Sequence, residues 1–233
     1  MPNFFHSASL ITCSAAIALL PASAIAKPKV HSVTLGGNRH VSFLPADATP
    51  ETKSDEASAL HIRALYVDDQ RKEWTTGPIH EVTDRTFTVR RALRLNDALP
   101  TDAQPRWVWQ PGPWLMVDRI TGHVTALHLP DFDSAVSDVV WYRDYAAYCG
   151  ISTTTRGGLF AIVAQLGTRR AVVQKKIGDW PQSNHFIPVC QPAKWQRLPM
   201  RVTLQPTGGV ATTYSVLGSA ALVEEGENAD AEQ

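Results

Sequence analysis

Apolar and polar residues alternate with a period of two through most of the chain from Val30 onward, as strands with one face toward a core require. Residues 60–67 read as one such strand, ended by Asp68-Asp69, and Trp74 and Val82 mark short stretches separated by Gly77-Pro78. Residues 33–35 and 40–44 flank Gly36-Gly37-Asn38, a composition that predicts a hairpin between them. Residues 45–58 are rich in Pro, Asp, Glu, Thr and Ser, which predicts a mobile surface loop. Residues 86–89 read as strand. From 92 to 99 the pattern fits both a continued strand and a helical turn ended by Pro100, and Arg91 falls on the apolar face of an extended continuation.

The second half is more regular. Residues 114–118 and 123–129 form a hairpin around Arg119-Ile120-Thr121-Gly122. Four short strands follow at 138–143, 145–152, 159–166 and 171–177. Their turns are marked by Asp144, Arg156-Gly157-Gly158 and Gly167-Thr168-Arg169. Residues 200–204 and 210–216 then flank Pro206-Thr207-Gly208-Gly209. No long amphipathic helical pattern competes. The expected fold is all-β, a single domain over residues 27–222 built from antiparallel four-strand meanders.

Residues 136–148, which contain Val139-Val140-Trp141-Tyr142-Arg143-Asp144-Tyr145, resemble the inner strands of a β-propeller blade. Residues 158–178 resemble its outer strands. Asp118-Arg119-Ile120-Thr121-Gly122 is similar to the D-x-x-T-G hairpin of propeller repeats. The resemblance implies blades of four antiparallel strands. At about 40–50 residues per blade the chain has room for four at most, and a β-sandwich is the competing arrangement.

Residues 1–26 hold no Asp, Glu, Lys or Arg. They contain an apolar stretch at 14–20, a break at Pro21 and the small-x-small sequence Ala24-Ile25-Ala26. This is the layout of a signal peptide, so the expected location is periplasmic or secreted, with no transmembrane anchor after cleavage. Removal of that segment takes Cys13 with it and leaves Cys149 and Cys190, an even pair that predicts a disulfide in an oxidising compartment.

Charge adds little. The 22 basic and 22 acidic groups balance. Glu224, Glu225, Glu227, Asp230 and Glu232 lie in residues 223–233, read as a disordered acidic tail, so the body before it is mildly basic. That excess is too small and too dispersed to indicate nucleic acid.

Three residue sets carry candidate chemistry. Trp107 and Trp109 share one face of an extended segment and Trp114 follows shortly after, a possible ligand-binding platform for sugar rings or peptides through stacking and apolar burial. Asp131, Asp133, Asp138 and Asp144 form the densest carboxylate group, and the first three are the candidate metal ligands. His123 and His128 have an odd separation, which puts them on opposite faces of a strand. No nucleophile elbow, zinc-protease helix or phosphate loop is present, and no cofactor is expected. The resulting expectation is an exported, non-catalytic β-domain that binds a protein or glycan at the envelope. A carbohydrate-binding module using the tryptophans and a metal-assisted hydrolase using Asp131, Asp133 and nearby histidines are the alternatives.

Overall fold

The computed structural model describes residues 30–43, 59–152, 157–180 and 188–217. The expected signal segment 1–26, the polar loop 45–58 and the acidic tail 223–233 lie outside those residues. Every regular element among the described residues is a strand, and all strand pairs are antiparallel.

Seven strands form the first sheet: β1 (Val33–Leu35), β2 (Arg39–Ser42), β3 (Ala59–Val67), β4 (Gln70–Glu81), β5 (Thr86–Asn96), β6 (Trp107–Asp118) and β7 (Val124–Ala126). A four-stranded meander follows, β8 (Val140–Tyr142), β9 (Tyr145–Ser152), β10 (Gly158–Gln165) and β11 (Ala171–Gly178), each strand beside its sequence neighbour. The third sheet is β12 (Cys190–Gln196), β13 (Arg201–Pro206) and β14 (Thr212–Ser215). Residues 136–148 and 158–178, which resemble blade strands, do fall together in the four-stranded meander, whereas the Asp118–Gly122 turn belongs to a different sheet, joining β6 to β7 at the edge of the first.

The meander is the middle layer. Tyr145, Ala147, Cys149 and Ile151 of β9 pack with Leu159, Ala161 and Val163 of β10 against Val202 and Leu204 of β13. Ala146 and Tyr148, on the opposite face, pack with Ile162 and Ala164 against Trp114 of β6 and Val139. All eight residues of β9 are therefore buried, and none of them is charged, as a strand covered on both faces requires. Each large apolar side chain so enclosed contributes about 1.5–3 kcal/mol. Cys149 and Cys190 are joined by a disulfide across the first of these interfaces, tying β9 to the start of β12.

Gly150 fixes the path of the loop that leads into the meander. A Cβ there would lie 2.5 Å from Ile162 Cδ1 and 2.7 Å from the Asp131 carbonyl oxygen. The missing side chain lets the Ile151 amide donate to that carbonyl at 2.8 Å, while Tyr148 donates its hydroxyl to Pro130 O at 2.7 Å. Burial pushes the Tyr148 hydroxyl far above the ordinary phenol range and keeps it a donor.

The predicted hairpin at Gly36-Gly37-Asn38 is not formed. β1 pairs with 65–67 and β2 with 59–62 of the same strand, β3, so the two lie end to end along one neighbour. The register shifts by one residue between them, and the Gly36 amide donates to Ala64 O at 2.8 Å. Glycines that read as a turn thus relieve a bulge, where the chain must crowd a neighbouring strand without reversing.

The ambiguous segment after Val89 is strand to Asn96. Arg91 does lie on the face its position predicts. It is accommodated there because its Nε donates to Glu73 Oε2 on β4 at 2.9 Å. The bend that disturbed the pattern comes from the neighbours: the β4–β5 register shifts between Thr76 and His80, and the β5–β6 register between Arg90 and Ala92. Gly77-Pro78 and Gly112-Pro113 occupy those two irregularities, one on each side of β5. Proline lacks a ladder donor, so both dipeptides sit where pairing is already broken.

Candidate functional site

The open end of the seven-stranded sheet carries an exposed cluster of indoles and guanidinium groups. Ala64 of β3 pairs with Trp74 of β4, and Arg94 and Asn96 of β5 pair with Trp109 and Trp107 of β6. Trp74 and Trp109 lie two strands apart, yet their ring centroids are 5.7 Å apart at 77°. Ala92, buried on the intervening β5, is small enough for the two rings to meet above it.

A second irregularity brings in the charge. The β3–β4 register shifts between Leu65 and Tyr66, which puts Arg71 and Trp74 on one side of β4 despite their odd separation. The Arg71 guanidinium carbon lies 5.0 Å from the Trp74 ring centroid and that of Arg39, from β2, lies 5.4 Å from it. Arg94 stands 5.4 Å from the Trp107 centroid. Each contact of this kind at an exposed site contributes about 0.5–1 kcal/mol. Arg39, Arg71 and Arg94 are all exposed, and none of them forms an ion pair among the described residues. By contrast, Arg85, Arg91, Arg106 and Arg119 are each paired with a carboxylate, while Arg63 and Arg90 donate to backbone carbonyls. Among the described residues the surface therefore presents cations without a carboxylate partner, held against rings.

The predicted platform is only partly assembled. Trp107 is 53% exposed and Trp109 half-buried, and both belong to this cluster. Trp114 is 6% exposed and lies beneath the meander, its ring 5.3 Å from that of Trp141. The shift between Arg90 and Ala92 keeps it on the same face as the other two, and what separates it from them is the meander that covers it. Trp74 and the three arginines take its place, and only strand register, which the linear sequence does not display, brings them together.

The aspartates do not converge. Asp133 accepts the Ala135 amide at its own carboxylate, 2.8 Å away, and the Ser137 amide at its carbonyl, also 2.8 Å. Asp131 accepts from Gln174 Nε2 at 2.8 Å, on the β11 side, and Asp138 is exposed. Among the described residues no three His, Cys, Asp or Glu side chains are grouped so as to hold a metal ion.

No family model, curated protein or solved structure matches the chain. Its chemistry therefore rests on its own residues. Among those described, no helix is long and apolar enough to cross a membrane.

Between the first sheet and the meander lies a ladder of a different kind. His80 stacks on Trp141 at 5.6 Å and 14°, with its Nε2 2.7 Å from Arg143 O. The indole nitrogens of Trp114 and Trp141 and the Thr88 hydroxyl are buried there without a hydrogen-bond partner among the described residues. These groups are enclosed and belong to the packing between layers.

Proposed function

We propose that the chain is an exported, non-catalytic interaction module of the cell envelope, and that its partner is an anionic glycan bound on the arginine–tryptophan face. The observation that carries this reading is the placement of Arg39 and Arg71 over Trp74, with Trp109 edge-on beside them. Ring faces covered by guanidinium groups are poorly available for stacking on neutral sugars. What they hold outward is a set of planar donors matched to carboxylate or sulfate. Tryptophan and arginine are also the residues in which binding energy concentrates at interfaces.

Export is supported by the apolar, uncharged segment at 1–26 and by the buried Cys149–Cys190 disulfide, which persists best in an oxidising compartment. A pull-down of the purified protein on immobilised polyuronate, sulfated polysaccharide and neutral dextran tests the partner class. Retention on the charged polymers with release by salt is expected. Equal retention on dextran would overturn the assignment of an anionic partner.

A further inference from the structure

A cavity of about 250 Å³ opens where the three sheets come together. Phe43 at the end of β2 and Pro111 of β6 form its wall on the first sheet, Val136 comes from the loop entering the meander, and Pro188 precedes β12. Pockets for drug-sized ligands run from roughly 300 to 1,000 Å³, so this one suits a smaller molecule.

Two opposite charges line it. Arg90 is fixed by its own strand and by two backbone carbonyls, donating from Nε to Gly112 O at 3.3 Å and from Nη2 to Ser134 O. The irregular Gly112-Pro113 stretch supplies the first acceptor, since Gly112 O lies where the ladder is broken. Nη1 makes no hydrogen bond among the described residues. Burial draws the Arg90 pKa below the ordinary guanidinium range and the Asp138 carboxylate partly offsets that. Asp138 lines the same cavity, close enough to act on Arg90 electrostatically, yet the two form no ion pair. A guanidinium and a carboxylate that share a cavity without contact leave each charge open to a ligand group of opposite sign.

We infer that this cavity is a binding site for a small zwitterion of amino-acid size, its carboxylate on Arg90, its ammonium on Asp138 and an apolar side chain among Phe43, Pro111, Val136 and Pro188. The carboxylate meets a donor already oriented by the backbone, so little ordering cost falls on binding. The ammonium adds a second charged hydrogen bond at the exposed mouth.

Calorimetric titration of the full exported chain with phenylalanine, 3-phenylpropionate and phenethylamine tests the site, because the last two each lack one of the charges. Phenylalanine is expected to bind most tightly, by roughly tenfold or more over either analogue. Asp138→Asn lies at the exposed mouth and leaves the fold intact. It should bring phenylalanine down to the level of 3-phenylpropionate and leave 3-phenylpropionate unchanged. Arg90→Met should abolish binding of both carboxylates. No detectable binding of phenylalanine to the wild-type chain, equal binding of the three compounds, or unaltered phenylalanine binding to Asp138→Asn would each overturn the inference. The arginine–tryptophan face is untouched by either variant, so glycan retention reports separately on that reading.

Discussion

Cys149 and Cys190 join a central strand of the meander to the first strand of the third sheet, with Cα atoms 6.1 Å apart at a sequence separation of 41. Both are buried in the larger core cluster, and the bridge closes the connection that carries the chain from β9 through β10 and β11 to β12. Cross-linking removes loop-closure entropy from the unfolded chain. The double variant Cys149→Ala/Cys190→Ala is expected to lose about 3–4 kcal/mol of stability in urea unfolding. A loss below about 1 kcal/mol would show that the core alone holds these sheets together.

Gly122 gives a sharper test of the curl in the seven-stranded sheet. It has φ +65°, and a Cβ there would lie 2.7 Å from Val67 Cγ1 and 3.0 Å from the His31 ring. The turn at one edge thus packs against the β1–β3 end of the same sheet. Gly122→Ala combines a left-handed backbone with a close contact and should cost about 1–3 kcal/mol, read as a lowered Tm. An unchanged Tm would mean that the two edges do not meet.

The same turn makes stability sensitive to acid. Asp118 accepts the Ile120 amide at 2.8 Å and the Thr121 amide at 3.1 Å, and is paired with Arg85. The Arg85 hydrogen bond, chiefly, holds its carboxyl well below the usual carboxylate range. Because the folded pKa is the lower one, this contribution is complete above the unfolded pKa of about 4 and is lost as pH falls below it. Unfolding curves of the wild type should therefore weaken below about pH 4, and Asp118→Asn should flatten that part of the profile. An identical acid limb in the variant would contradict the assignment.

Thr88 offers a prediction of opposite sign. Its hydroxyl is buried and unpartnered between the first sheet and the meander. Thr88→Val removes an unsatisfied polar atom at constant shape and should raise stability by about 1 kcal/mol. A comparable loss would show that an ordered water serves this hydroxyl.

Strand positions in the second half are legible in the sequence because each short apolar run is bounded by turn residues, and β8 to β11 follow those boundaries closely. The disulfide is legible because the expected signal segment contains the only other cysteine, Cys13. The role of Gly36-Gly37 is not, since a bulge differs from a turn only by the partner strand, and that partner, β3, lies beyond an intervening polar segment. Trp114 looks like its neighbours Trp107 and Trp109 until the meander covers it. The union of Trp74 with Trp109 depends on Ala92 between them and on the register of β4, β5 and β6, none of which has a linear signature.

The central claim is that the guanidinium groups over Trp74 hold an anionic glycan. Its most direct test is the affinity for a soluble polyuronate of the wild type, of Arg39→Gln/Arg71→Gln and of Arg169→Gln/Arg170→Gln. The last variant removes the same charge from an exposed turn elsewhere. Loss of roughly tenfold in affinity for the first variant, with the second near wild type, is the predicted result. Equal losses in both would reduce the interaction to net charge and contradict a site on this face.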